Sequence, residues 1–315
     1  YTLVFQPSNR MPDRLFSGRS GQRTRINHRP GMYVGRFHLL TNQRMRLICS
    51  LYPRTHFQPE GTREGKVALI TGAFRGHAEA MARRFAKEGA AVSICDVCTA
   101  EELDEKVGSE IRAEGGKAIC FQTDVSKEDE VKEMVAKTLE GFGTIDILIN
   151  NAGKSAASGL EELSDAASQE DLDLKLMGAI RMCRGAVPHM RKMGGGSIVN
   201  ATTGAGKAPG SLALPTSVSR AAGNNLTKSL ANELAKDNIR VNAVCIGLIK
   251  SAQWERRSEK GSLEELYTEL GNKVPLGRVG EAEEYADLVA FLCSARGAYI
   301  TGTAINLDGG LCPVI

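Results

Sequence analysis

From residue 66 onward, short apolar runs alternate with stretches in which apolar residues recur every third or fourth position. Val67–Ile70, Ala91–Asp96, Lys117–Gln122 and Ile145–Asn150 are runs of four to six residues bounded by glycine or polar turns, the signature of strands buried on both faces. Between them, Ala78, Ala80, Met81, Phe85 and Ala86 recur at helical spacing, and residues 101–114 and 125–140 read as two further helices. Ser126, with Glu128 and Asp129 after it, is placed to cap the last of these. Farther on, 217–235 and 281–294 read as helices and 303–307 as a final strand. Strand and helix in strict alternation predict a parallel, doubly wound α/β sheet.

The first 63 residues break this pattern. They show neither period, contain five prolines, and hold eleven arginines and no lysine against two acids, Asp13 and Glu60. Their formal charge is +9, against −6 for the remainder, so the net +3 hides an asymmetry. We expect residues 1–63 to be a basic, irregular extension outside the domain. It is a transit-like segment, a disordered arm, or an over-extended reading frame starting truly at Met32 or Met45. The mildly acidic remainder carries no nucleic-acid footprint, and no apolar stretch is long enough to span a bilayer. Of eight cysteines, most sit in apolar patterns; the lone Cys95-x-x-Cys98 lacks companion ligands. We expect reduced thiols, no metal, and a cytoplasmic protein, or a mitochondrial one if the extension is a transit segment.

Candidate chemistry begins at KVALITGAFRGHAE, residues 66–79. A strand, a turn punctuated by Gly72 and Gly76, and a helix form the unit that cradles a dinucleotide pyrophosphate: glycine lets the backbone approach, and the helix N-terminus offers free N–H groups. The spacing is Gly-x-x-x-Gly-x-Ala, not the commoner Gly-x-Gly-x-x-Gly. Asp96 follows at the tip of the second strand, where a carboxylate accepts hydrogen bonds from ribose hydroxyls and repels a 2′-phosphate; the plainer alternative is a solvated strand-end acid. We therefore expect NAD in preference to NADP, although Arg75 in the turn is a basic group within reach of a 2′-phosphate.

Several motifs in order make the chain resemble a short-chain dehydrogenase/reductase of the 3-oxoacyl-carrier-protein-reductase-like branch. They are TGAFRGHA (71–78), Asp124-Val125, NNAG (150–153), GSIVN (196–200), IRVNAV (239–244) and TGTAINLDGG (301–310). The resemblance implies a single Rossmann-type domain, residues 64–315, with a doubly wound parallel sheet of about seven strands flanked by helices and a lid at about 250–275. It also implies cofactor contacts at Gly72, Arg75, Gly76, His77, Asp96, Asp124, Val125, Asn151, Ala152, Gly153, Arg220, Gly247 and Ile249. His77 stands where the family has an aliphatic residue, to contact a phosphate or cover the cofactor. Trp254 is a candidate wall of the substrate pocket, or ordinary packing. A homotetramer is expected by the same analogy.

The family uses a Tyr as acid/base, a Lys four residues later, a Ser thirteen before, and an Asn on the preceding helix. Position by position, these fall on Thr216, Arg220, Thr203 and Lys175. Thr203 keeps a hydroxyl and Arg220 a cation. Thr216 is too weak an acid to replace a phenol, and no Tyr lies between Tyr52 and Tyr267. Lys175 is the gain: buried beside Arg220, its pKa falls and it serves as acid/base, directly or through a water. Alternatively it reaches solvent or pairs with Asp171 or Asp173, and this plainer reading is preferred. The expected function is hydride transfer between a nicotinamide and a small alcohol or ketone at an atypical site. The alternative is an inactive dinucleotide-binding scaffold or regulatory subunit.

Overall fold

The computed structural model describes residues 63–251 and 262–315. Seven strands form one parallel sheet: β1 (Val67–Thr71), β2 (Ala91–Asp96), β3 (Lys117–Gln122), β4 (Ile147–Asn150), β5 (Gly196–Thr203), β6 (Ile239–Ile246) and β7 (Ala304–Leu307). Their spatial order is β3-β2-β1-β4-β5-β6-β7. The chain winds outward from β1 to β3, returns to β4 on the other side of β1, and winds outward again. The parallel registers carry this through, with Ile70 opposite Ile94 on one side of β1 and Leu69 opposite Leu148 on the other. Reversal between β1 and β4 opens a crevice at the carboxyl ends of these strands, the place where such sheets take ligands.

The described residues hold the helical segments α1 (His77–Lys87), α2 (residues 100–113), α3 (Glu128–Phe142), α4 (residues 165–192), α5 (Thr216–Leu234), α6 (Leu263–Gly271) and α7 (Ala282–Leu292), of which all but α6 pack on the sheet. Two buried clusters mark the two faces. Met81 and Phe85 of α1, Leu103, Val107 and Ile111 of α2, and Tyr285 and Val289 of α7 fill one. Val131 and Met134 of α3, Met182, Ala186 and Met190 of α4, and Ala231 and Leu234 of α5 fill the other. Every residue of β1 is buried, which is why its run is apolar without alternation.

Element boundaries differ from the sequence reading at two informative places. Ser126 does not cap α3; Asp124 captures it, accepting hydrogen bonds from the Ser126 backbone N–H and hydroxyl (2.9 and 2.7 Å), and the helix starts later at Glu128. Both α2 and α4 contain a π-turn, Asp104–Gly108 and Asp173–Met177. The second holds Lys175. Residues 1–62 and Trp254 lie outside the described residues, as does the middle of the expected lid; α6 follows it.

Candidate active site

The crevice is built by locking the turn after β1 to the turn after β4. Thr71 Oγ1 accepts hydrogen bonds from the backbone N–H groups of Asn151 and Ala152, both at 3.1 Å. Gly72 (φ +73°) lies so close that a Cβ there would stand 2.9 Å from Ala152 Cα. Gly76 (φ 66°, ψ −128°) ends the turn in backbone only glycine adopts freely, and opens α1, whose N-terminus no side chain caps. On β4, Asn150 donates to Asn200 (2.8 Å), which donates to Thr227 (2.9 Å), a buried chain tying β4 and β5 to α5.

At the β2 end, the two oxygens of Asp96 accept the backbone N–H groups of Phe74 (2.9 Å) and Val97 (2.7 Å). The carboxylate thus braces the glycine turn as well as standing at the strand tip. Arg75 lies 4.9 Å over the Phe74 ring, and Lys106 of α2 lies 4.8 Å from the same ring while pairing with Glu79 at 3.5 Å. A recess of about 370 Å³ beside them is lined by Val97, Gln122, Asp124, Lys127 and Glu130. Val125 is buried and faces Gly178 of α4, where a Cβ would stand 2.9 Å from Val125 Cγ2.

Across the crevice, Gly247 follows β6 with its Cα pressed on Asp308; a Cβ would stand 2.5 Å from that residue's Cβ. Ile249 is buried, and the chain beside it is fixed by Lys250 N–H donating to Gly280 C=O (2.9 Å). His77 turns inward. Its ring meets Tyr285 of α7 edge-on at 5.6 Å. Burial pushes its pKa down, against the raising effect of backbone hydrogen bonding at Lys250 and Ile249. Tyr285 is a phenol the sequence reading did not bring to this region, lying 65 positions after Arg220. It is fully buried, and burial drives its pKa up although Arg220's charge works the other way. Only tertiary structure places it here; no local pattern in α7 marks it.

The third wall carries the ionisable cluster. The Lys175 ammonium is buried and paired with Asp171 one turn earlier; both side chains are 1% exposed. It also donates to Thr216 Oγ1 at 3.1 Å. That hydroxyl, on the first residue of α5, accepts the Ala156 N–H at 3.1 Å as well. Asp171's second oxygen accepts the Ser219 hydroxyl at 2.6 Å. The pairing reading of Lys175 therefore holds with Asp171 as partner. Asp173 instead accepts from Gln169 (3.1 Å) and stands 3.6 Å from Arg181. Burial first, then the like charge of Arg220, lower the Lys175 pKa to about 8, partly opposed by Asp171.

Arg220 reaches from α5 to donate to Ala201 C=O (2.7 Å), two residues before Thr203 at the end of β5. A Cβ on Gly153 would stand 2.7 Å from its Nη2 and 3.6 Å from Lys175 Cγ, so Gly153 joins the two cations. Lys175, Thr216 and Arg220 thus converge beside the Asn151–Gly153 turn. Ser219, Asp171's second partner, gave no signal in sequence; Asp171 did, at i,i+4 from the lysine.

The residues fit a nicotinamide dinucleotide. His77 Nε2, Thr203 Oγ1 and Arg220 Nε are buried polar atoms without a partner, the condition of groups awaiting a ligand. The glycine turn leaves backbone N–H groups open at a helix N-terminus. Among the described residues, no group of three or more His, Cys, Asp or Glu side chains could hold a metal ion, and no helix is long and apolar enough to cross a membrane.

Sheet order, glycine turn and crevice together define a dinucleotide-binding α/β protein of the oxidoreductase kind. Comparison with known proteins sharpens this. Residues 72–312 match the family model described as enoyl-(acyl carrier protein) reductase. The chain is 38% identical over 250 residues to the 3-oxoacyl-(acyl-carrier-protein) reductase FabG of Thermotoga maritima, covering 79% of this chain and 98% of that protein. It is 36% identical over 256 residues to the oxidoreductase UcpA of Salmonella typhimurium, covering 79% and 95%. The crystal structure of L-sorbose reductase from Gluconobacter frateurii, complexed with NADPH and L-sorbose, superposes with a TM-score of 0.77 at 32% identity, covering 82% of this chain and all of that one. The chain belongs to the short-chain dehydrogenase/reductase family, in its FabG-like branch.

Proposed function

We propose that the protein is an NAD-dependent oxidoreductase interconverting a small alcohol and ketone, with Lys175 handling the proton. The observation that carries this reading is the buried Lys175 ammonium, 3.1 Å from Thr216 Oγ1 beside Arg220, with its pKa lowered to about 8. An acid/base works best with a pKa near the working pH. Gly72, Gly76, Asn151, Ala152 and Gly153 would hold the dinucleotide's phosphates and nicotinamide half, Asp124 and Val125 the adenine, and Arg220 the nicotinamide ribose. Gly247 and Ile249 would meet the carboxamide, and Thr203 the substrate oxygen. When bound, the nicotinamide supplies or accepts the hydride. In reduction, a Lys175 N–H bond breaks, directly or through a water, the electron pair stays on nitrogen, and the proton ends on the substrate oxygen.

NAD is proposed over NADP because the Asp96 charge stands at the strand tip, where a 2′-phosphate would meet it. The NADPH of the sorbose reductase structure and the nearby Arg75 and Lys106 make this the part of the reading to test first. We also propose a homo-oligomer of the tetrameric kind, supported by the exposed Tyr299, Leu311, Val314 and Ile315 near the C-terminus. A reducing, cytoplasmic setting is supported by seven described cysteines that are all free.

The test is hydride transfer by the purified full chain over a panel of ketones and alcohols, with NADH binding followed by fluorescence. Turnover abolished by Lys175→Met with NADH binding retained is the expected result. A second reading, a dinucleotide-binding scaffold, is favoured by the Thr216 hydroxyl in place of a phenol. It stands if NADH binds, no substrate turns over, and Thr216→Tyr with Arg220→Lys creates activity.

A further inference from the structure

A chain of two buried side chains leads away from Lys175, and neither enters the reading above. Asp171 (2% exposed) sits one turn before the lysine on α4, and Ser219 (1% exposed) on the first turn of α5. The carboxylate is held from two sides: one oxygen takes the ammonium, the other the Ser219 hydroxyl at 2.6 Å. The ammonium's other partner is Thr216 Oγ1. Helix α4 widens into its π-turn, Asp173–Met177, where it carries the lysine. Such turns collect at functional positions.

We propose that Asp171 and Ser219 are positioning residues for Lys175, a bracket across α4 and α5 that fixes the ammonium at the Thr216 hydroxyl and sets how readily it releases a proton. The inference rests on the reading of Lys175 as the acid/base. Charged groups facing the ammonium come from three elements. Asp171 belongs to its own helix, Arg220 to α5, and Lys154 to the segment after β4, where it pairs with Glu170 at 2.5 Å. Burial and these two like charges push the ammonium toward releasing its proton, and Asp171 is the group among them that holds the proton on. Ser219 tempers it, because a hydrogen bond donated to a carboxylate draws off charge that would otherwise act on the ammonium.

The experiment follows the Lys175 side chain directly, by ¹³C NMR of the full chain labelled at lysine, with the resonance assigned by its loss in Lys175→Arg. In the parent protein the resonance is expected to titrate near pH 8. Asp171→Asn is expected to move that titration down by about one to three units, the effect of losing an opposite charge in contact. Ser219→Ala, a conservative change that keeps the fold if Asp171→Asn does not, is expected to move it up by about half a unit. In the hydride-transfer assay, the break in the pH profile moves with the NMR titration. A titration unmoved in Asp171→Asn, or in Ser219→Ala alone if the first variant does not fold, overturns the bracket. If the titration moves as expected but Lys175→Met turns over normally, it is the acid/base reading that falls, and the two failures are told apart.

Discussion

Replacing Lys175 by Met tests the buried pair without reference to any substrate. Methionine fills similar volume with no charge, so packing changes little and the loss is electrostatic. Both Lys175 and Asp171 side chains are 1% exposed, and Asp171 keeps only the Ser219 hydroxyl once the ammonium is gone. Breaking a buried pair by removing one partner costs about 3–5 kcal/mol, because the remaining charge has no water and here only Arg220, not bonded to it, as counter-charge. For a domain of this size each kcal/mol moves the melting temperature by roughly 2–4 °C, so the variant should melt roughly 6–20 °C below the parent at pH 8. The penalty belongs to the charged carboxylate.

The double variant Lys175→Met, Asp171→Leu removes both charges and should recover most of the loss, since replacing a buried pair by apolar groups is close to neutral. Melting curves of parent, both singles and the double at pH 8, read by circular dichroism, give the coupling energy as a cycle. A Lys175→Met variant melting within about 3 °C of the parent at pH 8 would refute the reasoning. So would a double variant no more stable than the single one.

Three further outcomes are expected. With a lysine acid of pKa about 8, kcat/KM for ketone reduction is flat below that pH and falls about tenfold per unit above it. Alcohol oxidation rises over the same range, and Arg220→Met, by removing a like charge, moves both breaks upward; breaks that stay put exclude Arg220 as a cause. Gly72→Ala puts a Cβ 2.9 Å from Ala152 Cα at φ +73°, which should cost about 1–3 kcal/mol of stability and weaken NADH binding at least about tenfold by calorimetry. Asp96→Asn removes the charge at the strand tip while keeping an acceptor for Phe74 N–H. Allowing for solvent screening, the NADP-to-NAD ratio of kcat/KM should rise by about 30-fold, and an unchanged ratio would take Asp96 out of cofactor choice.

The strands were legible because they are buried on both faces: β1 and β4 show unbroken apolar runs that end at a glycine or asparagine. Their order was legible only through the alternation with helices, which forces parallel crossovers. The start of α3 was misplaced because Ser126 is a good cap in isolation, and its hydroxyl goes to Asp124 instead. At the site, the i,i+4 spacing of Asp171 and Lys175 announced their pairing, but the choice between Asp171 and Asp173 needed the π-turn, which nothing in DLKLM signals. Thr71's grip on the Asn151–Ala152 turn and the approach of Tyr285 to Arg220 join elements about 65 to 80 positions apart, where sequence periodicity carries no information.

Tyr285 and Lys175 also explain why an amine suits this pocket. A nearby cation favours deprotonation of either group, since it stabilises a phenolate and repels an ammonium. Arg220 acts on both in that sense. Burial separates them: it penalises the charged form, which for a phenol is the deprotonated state and for an amine the protonated one. In Tyr285 burial opposes Arg220 and wins, and the phenol moves away from neutrality. In Lys175 the two act together, against Asp171 alone, and the amine arrives at about 8. Along the enclosed α4–α5 seam, where Lys175 is almost wholly out of water, a group beginning near 10 reaches the neutral range only if its acid form is the charged one. On the proposed reading, in which Lys175 takes the part that the family gives to a Tyr, an amine suits the seam enclosed by Asp171 and Ser219. Opening the seam to water should return Lys175 toward an ordinary lysine.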